Sequence, residues 1–325
     1  MAEQVRIGII GCGGMGSVHA GAWQADPRAQ IVAVTDSARS RAEALAARTG
    51  AQPYGDLERM LIEQRLDLVS VCTPPAGHLP AARQALQAGC HVLCEKPLAR
   101  TATEAQQMVE AAGQAGRLLV TAFCHRFHQP VTQMREWIQA GKIGRVLQFR
   151  NRFAGWIPME GKWFSDPDLA GGGAIIDTSI HSIDLFRYLV GDPTSVAACI
   201  ATMVQAIAVE DSSLLLLQTA EGAIGSIEAC WSSPVSESTI EVYGSEGTAF
   251  YNYSEPGARY RTREMPEWQQ VPMTGPDRFV LQARHMLDCV LGIRQPLVSG
   301  EDGLWAARIS DAAYQAARKQ VCVQV

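Results

Sequence analysis

Six residues, Gly11-Cys12-Gly13-Gly14-Met15-Gly16, stand between an apolar run, VRIGIIG, and a helix-forming stretch from about Ser17 to Gln24. Few patterns restrict a fold as much. The first glycine permits a tight turn, the second lets backbone approach a diphosphate, and the third lets the helix pack closely. The helix N-terminus meanwhile offers free N–H groups to the anion. A GxGxxG alone is a weak signal, but here it opens a βαβ unit. Asp36 follows twenty residues after Gly16, at the end of the next apolar run, IVAVTD. A carboxylate there accepts both ribose hydroxyls of an adenosine and repels a 2′-phosphate. Gly11, Gly13, Gly14, Met15, Gly16 and Asp36 are therefore the expected nucleotide contacts, with NAD favoured over NADP. Arg39 and Arg41 are the residues able to turn to a 2′-phosphate. The alternative, a plain glycine turn and an Asp that caps the next helix, is the minority reading in this context.

From Val5 to Phe123 the runs VRIGIIG, IVAVTD, DLVSVCTP, HVLCEK and LLVTAF alternate with amphipathic stretches at Ser40 to Thr49, Pro80 to Ala88 and Thr103 to Ala115. Runs apolar on both faces and separated by helices predict a parallel sheet covered on both sides, a doubly wound Rossmann α/β domain over residues 1–123. Beyond that the texture changes. A helix from Val131 to Ala140 leads into RVLQFRNRFA and a long loop rich in Trp, Pro and Gly, and a second helix spans Ala174 to Val190. The strands SVAACIATMV, SSLLLLQTA, AIGSIEACW, STIEVYG and TAFYNYS follow, joined by short turns. Such a succession predicts a largely antiparallel open sheet. Two late helices, near Asp277 to Leu291 and Gly300 to Lys319, complete an α+β domain over residues 124–325 for substrate binding and oligomerisation. A length of 325 residues accommodates two domains of this kind.

Composition narrows the partners. Lys plus Arg is 28 against 33 Asp plus Glu, a net charge of −5, so a nucleic-acid partner is not expected. Charged residues are 19%, below the average of about 25%, which points to surface buried between subunits of a homodimer or homotetramer. The N-terminus lacks the segments of a signal peptide, and no stretch approaches the roughly 20 apolar residues of a membrane span, so a cytoplasmic protein without membrane contact is expected. Nine cysteines without a CxxC pair read as buried reduced thiols rather than disulfides or a zinc site.

Two motifs end strands of the first domain: Thr73-Pro74-Pro75 and Glu95-Lys96-Pro97. Ligands of doubly wound sheets bind beyond the carboxyl ends of the strands, so both should face the nicotinamide half of the cofactor. Lys96 is placed for chemistry, although the dipeptide alone is better explained by a solvated Lys paired with Glu95. The second domain holds Gly171-Gly172-Gly173 followed by Asp177, His181 and Asp184. Spaced i, i+4 and i+7, these three share a helix stripe, while Ile176, Ile180 and Ile183 pack the adjacent face. Two carboxylates and an imidazole inside an apolar helix are costly unless they line a polar cavity. A surface ion pair is the bland alternative. A metal face would need further ligands, and nothing in the sequence ties His125 or His128 to the stripe, so no metal is expected.

Together, GCGGMG with Asp36, TPP followed by His78, EKP, Arg126-Phe127 with Pro130, GKIG, the GGG loop, DxxxHxxD and the final Glu301-Asp302-Gly303 helix resemble the glucose-fructose oxidoreductase and inositol dehydrogenase family over essentially the full length. The resemblance implies that Thr73, Pro74, His78, Glu95 and Lys96 belong to the cofactor site and that Lys96, Asp177 and His181 are catalytic. It also implies a cis Lys96-Pro97 bond and subunit contacts through the second-domain sheet. Ser179 stands where many members have glycine, nearer the inositol dehydrogenase style, whereas Glu160 and Lys162 occupy the loop in which that branch places polar substrate ligands.

Oxidation of a secondary alcohol moves a hydride to a nicotinamide while a proton leaves oxygen. His181 is the expected general base, Asp177 the group that orients and tunes it, and Lys96 the cation that favours a developing alkoxide. Arg126 and Asp184 are expected to hold neighbouring hydroxyls. Trp156 and Trp163 form an apolar wall for a sugar ring or, equally, core aromatics under a long loop. The leading expectation is an NAD-dependent dehydrogenase of a sugar or cyclitol hydroxyl. The alternatives are a glycosidase that uses NAD for a transient oxidation and a non-catalytic dinucleotide-sensing regulator.

Overall fold

The computed structural model describes residues 4–325. The chain divides into two compact units. One runs to Cys124 and takes in Pro276–Trp305; the other comprises His125–Gly275 and Ala306–Val325. The second expected span, 124–325, is thus interrupted. Its residues 276–305 pack with the first unit because the apolar face of helix Arg278–Val290 lies on helix Gly14–Gln24, and Asp288 takes a 2.7 Å contact from Arg28. Nothing local in the sequence marks that return.

In the first unit, β1 (Val5–Ile10), β2 (Ala29–Thr35), β3 (Gln52–Tyr54), β4 (Leu68–Val71), β5 (His91–Cys94) and β6 (Leu119–Thr121) form a parallel sheet in the order β3-β2-β1-β4-β5-β6. Strand β4 is buried throughout and β5 from Val92 on, as expected of strands covered on both faces. The order reverses at β1, so the loops after β1 and β4 open side by side at the switch point where such sheets bind ligands. β3 and the helix Leu57–Glu63 escaped the sequence reading, being only three and seven residues long.

The second unit holds β7 (Val146–Trp156), β8 (Pro193–Ala201), β9 (Ser212–Thr219), β10 (Ile224–Cys230), β11 (Ser232–Gly244), β12 (Gly247–Asn252), β13 (Gly257–Thr262), β14 (Gln269–Pro272) and β15 (Val323–Gln324). They lie in the order β14-β13-β12-β11-β7-β10-β9-β8-β15. Among the described residues every neighbouring pair is antiparallel except β7 and β10. Helix Ile180–Leu189 packs on one face. Phe186 meets Phe149 of β7 edge-on at 5.6 Å, and a side chain at Gly225 of β10 would collide with the Phe186 ring. The opposite face is open: along β9 Ser213, Leu215 and Leu217 are buried while Leu214 and Leu216 are exposed.

Among the described residues all nine cysteines are free thiols. Five are buried, but Cys199 and Cys322 are exposed, which corrects the expectation of uniform burial. Among the described residues no helix is long and apolar enough to cross a membrane.

Candidate active site

The glycine loop is built as its sequence demands. Gly11 has φ of 92°, and a Cβ there would lie 2.7 Å from the Cys72 carbonyl group. A Cβ on Gly16 would overlap the Gly11 carbonyl oxygen. At Gly13 and Gly14, by contrast, a Cβ would meet nothing within 4 Å. Helix Gly14–Gln24 begins beside that open space, without a side-chain cap or an acidic residue in its first turn. That arrangement suits an anion.

Asp36 braces the loop from β2. One carboxylate oxygen accepts the Cys12 N–H at 2.7 Å and the other the Ala38 N–H at 2.8 Å. Burial, reinforced by Asp36, pushes the Cys12 thiol up to about 12, so it remains protonated. Arg39 points away, 86% exposed and paired with Glu43 at 2.8 Å; Arg41 is also exposed. At the end of β4, the buried Thr73 hydroxyl has no partner among the described residues. An uncapped helix N-terminus, a carboxylate at the end of β2 and an orphaned hydroxyl together fit a dinucleotide.

Lys96 is half-buried, and the Lys96-Pro97 bond is cis. Glu95 is buried rather than solvated. Its carboxylate is buried, accepting the Lys96 N–H at 3.1 Å and lying 2.9 Å from His19 Nε2. Ser70, at 3.3 Å, meets the other His19 nitrogen and also accepts the Trp23 indole N–H. Burial opposes a charge on His19, but Cys72 and then Glu95 outweigh it and push the imidazole up to about 10. Burial also raises the Cys72 thiol. His19 lies three residues past the glycine loop, and no sequence spacing singled it out.

His78, expected in the cofactor site, is fully buried, with Nδ1 2.9 Å from the Pro97 carbonyl and Nε2 2.8 Å from the Thr73 carbonyl. Burial holds its imidazole below the usual range. It braces the two loops that carry Thr73 and Lys96.

In the second unit, the expected continuous helix Ala174 to Val190 is instead a π-helical turn, Ile175–Ser179, followed by helix Ile180–Leu189. Asp177 lies in the π turn, so the i, i+4, i+7 stripe is broken at its first member. Such turns recur at functional sites because they re-aim side chains. Asp177 and His181 are half-buried. The Thr178 hydroxyl donates to Asp177 at 3.3 Å and accepts the Trp231 indole N–H at 2.7 Å. The His125 ring lies 4.5 Å from that of His181, and its Nδ1 is 2.5 Å from the Tyr253 hydroxyl. Sequence spacing gave no sign of this neighbour, because β12 and the turn after it bring Tyr253 in from a distance. Among the described residues no group of His, Cys, Asp and Glu is arranged to hold a metal.

Asp184 and Arg126, expected to hold substrate hydroxyls, pair with each other. Asp184 is 1% and Arg126 6% exposed, and the guanidinium grips the carboxylate through Nε at 3.0 Å and Nη2 at 2.6 Å. A buried bidentate pair of this kind is geometrically specific. The two charges fasten the start of the second unit to helix Ile180–Leu189. Trp156 is 55% exposed at the end of β7, and Trp163 stacks on Phe164 at 3.6 Å. Neither is a fully buried core residue. Glu160 accepts the Ala206 N–H at 2.9 Å, tying down the loop.

Residues 5–123 match the family described as an oxidoreductase family with an NAD-binding Rossmann fold, and residues 131–250 match the GFO/IDH/MocA C-terminal domain. The chain is 30% identical to the D-apiose dehydrogenase of Paraburkholderia graminis over 335 residues, covering 98% of this chain and 88% of that one. It is 31% identical to an inositol 2-dehydrogenase of Rubrobacter xylanophilus over 253 residues, covering 76% and 71%. A levoglucosan dehydrogenase, solved in complex with NADH and levoglucosan, shares 26% identity and a TM-score of 0.93 over 99% of both chains. The resemblance read from the motifs therefore holds across both units, and the chain belongs to the Gfo/Idh/MocA oxidoreductase family, with that family's NAD-binding Rossmann domain.

Proposed function

We propose that this chain is a dehydrogenase that oxidises a secondary hydroxyl of a sugar or cyclitol at the expense of NAD, with Lys96, Asp177 and His181 as its catalytic residues. One observation carries the reading. Of the three polar residues Asp177, His181 and Asp184, Asp184 pairs with the buried Arg126, while Asp177 and His181 are half-buried and contacted by neighbours.

When bound, NAD supplies the hydride acceptor. The chain's own groups do the rest. Gly13, Gly14 and Met15 offer amides to the diphosphate, and Asp36 takes the adenosine ribose. His181 accepts the hydroxyl proton, a task suited to an imidazole that ordinarily titrates near neutrality. Asp177 favours the imidazolium that results, and the Lys96 ammonium favours negative charge on the substrate oxygen. Apiose, inositol and levoglucosan, named for the relatives, are all polyhydroxylated. A partly exposed aromatic pair such as Trp163 and Phe164 suits the apolar face of such a ring. The open sheet face bearing Leu214, Leu216 and Ile224 is assigned to a second copy of the chain.

The test is NADH formation at 340 nm with myo-inositol, scyllo-inositol, levoglucosan, D-apiose, D-glucose and methyl glucosides. At least one compound should reduce NAD in stoichiometric amount. Release of free sugar without net NADH would favour the glycosidase, and no turnover with NAD bound would favour the regulator.

A further inference from the structure

The loop ahead of β9 carries a buried carboxylate, Glu210, that no motif singled out. Its Oε2 accepts the Gly173 N–H at 3.1 Å, its Oε1 accepts the Ile175 N–H at 2.9 Å, and its backbone oxygen accepts the Ala174 N–H at 2.9 Å. Three successive amides at the start of the π turn thus close on one residue. A helix normally finds such a cap within its own first turn, from Ser, Thr, Asp or Asn. Here the segment Gly171-Gly172-Gly173 has no side chain to offer, and the cap arrives from 35 residues downstream of Ile175.

The carboxylate is itself held. The Tyr314 hydroxyl donates to Oε1 at 2.7 Å. Burial, followed by the charge of Glu210, keeps that phenol well above its ordinary range, so it stays a donor. The two glycines are what allow the clamp to close. A Cβ on Gly172 would overlap the Tyr314 hydroxyl, and one on Gly173 would overlap the Glu210 backbone. The next residue, Asp211, is fully buried, and its backbone oxygen accepts the Trp231 N–H at 2.8 Å. Trp231 in turn donates through its indole to Thr178, and Thr178 donates to Asp177. Ala174, Val209 and Trp231 share one apolar cluster. The Glu210-Asp211 dipeptide therefore reaches Asp177 twice, through the backbone of its turn and through its carboxylate.

We propose that Glu210, held by Tyr314, is a positioning residue that fixes the π-helical turn and so sets where Asp177 stands relative to His181. A π turn accommodates one residue more than an α turn, and an α-helix advances roughly 100° per residue. Release of the clamp frees the segment to wind as a regular helix, which would carry Asp177 round the axis while His181, in the packed helix that follows, stays in place. The inference rests on the reading of Asp177 and His181 as catalytic.

The experiment compares Glu210→Gln, Tyr314→Phe, Asp177→Asn and the double variant Glu210→Gln/Asp177→Asn in the full-length protein. It measures kcat, KM and NAD affinity with the compound of the panel above that turns over fastest. Glu210→Gln should lower kcat at least about tenfold and Tyr314→Phe about threefold or more, with NAD affinity within about twofold of the parent. In the Asp177→Asn background, Glu210→Gln should cost less than about twofold, because the residue it positions is already disabled. A purely structural role would lower the yield of folded protein and leave kcat per folded site unchanged. Parent-like kcat in Tyr314→Phe and Glu210→Gln, or losses that multiply in the double variant, would overturn the inference. If Glu210→Gln does not fold, Tyr314→Phe decides alone. Parent-like kcat in Asp177→Asn would instead overturn the catalytic reading on which the proposal stands.

Discussion

Asp36 holds the glycine loop and the following turn through two backbone amides, and the same carboxylate is expected to discriminate between ribose and ribose phosphate. Calorimetric titration should show NAD binding more tightly than NADP. Asp36→Ala should weaken NAD by about 1.5–3 kcal/mol, roughly ten- to hundredfold, and leave NADP much less affected. Tighter NADP binding to the unmodified protein would refute the assignment. His19 gives a second prediction. Its pKa in the folded state is raised to about 10 from an ordinary 6.5, so its contribution to stability is complete below pH 6.5 and lost as pH rises through about 10. Urea unfolding of the parent should therefore weaken between pH 7 and 10 more steeply than that of His19→Gln; equal slopes would show that the imidazole is neutral throughout. At this scale, motif and spacing made the tight turn at Gly11 and the carboxylate of Asp36 legible, since both lie at the ends of strands, whereas the roles of Lys96, Asp177 and His181 came through the family resemblance and await the test below. Pairings across the chain were not legible. Arg126 with Asp184, His78 with Pro97 and His125 with Tyr253 depend on tertiary register, which no local pattern encodes.

The helix that bears Asp177 and His181 illustrates how elements were read and misread. Its apolar residues at 176, 180 and 183 gave the helix and the face it buries, and these are buried as expected. The π turn was invisible because its cause lies in Glu210, Gly172 and Gly173, the last two of which looked like loop residues. Gly173→Ala provides a direct check. A methyl group there runs into the Glu210 backbone, and overpacking of this kind should cost about 1–3 kcal/mol in unfolding free energy and depress turnover. Gly21→Ala, where a Cβ meets nothing within 4 Å, should be neutral or slightly stabilising. Equal melting temperatures for the two variants would contradict the packing argument. The first-unit strands were legible because a parallel sheet buries both faces of each strand. The edge strands β14 and β15, and β13 next to β14, were missed because they are short.

At the scale of the whole molecule, the alternation along β9 leaves Leu214 and Leu216 exposed beside Ile224 of β10. An open apolar sheet face of this sort marks an interface. Light scattering at micromolar concentration should give a dimer or tetramer of the 35.2 kDa chain, and Leu216→Glu should shift it towards monomer. A parent that scatters as a 35.2 kDa particle would refute the assignment.

The central claim is that the nucleotide is held by one set of residues and that Lys96 and His181 perform the chemistry. It is tested most directly by measuring NAD affinity and turnover separately for Lys96→Ala and His181→Ala. Each variant should lose turnover by about a hundredfold or more and keep NAD affinity within about threefold, because the glycine loop and Asp36 are untouched. Near-normal turnover in both variants would contradict the account.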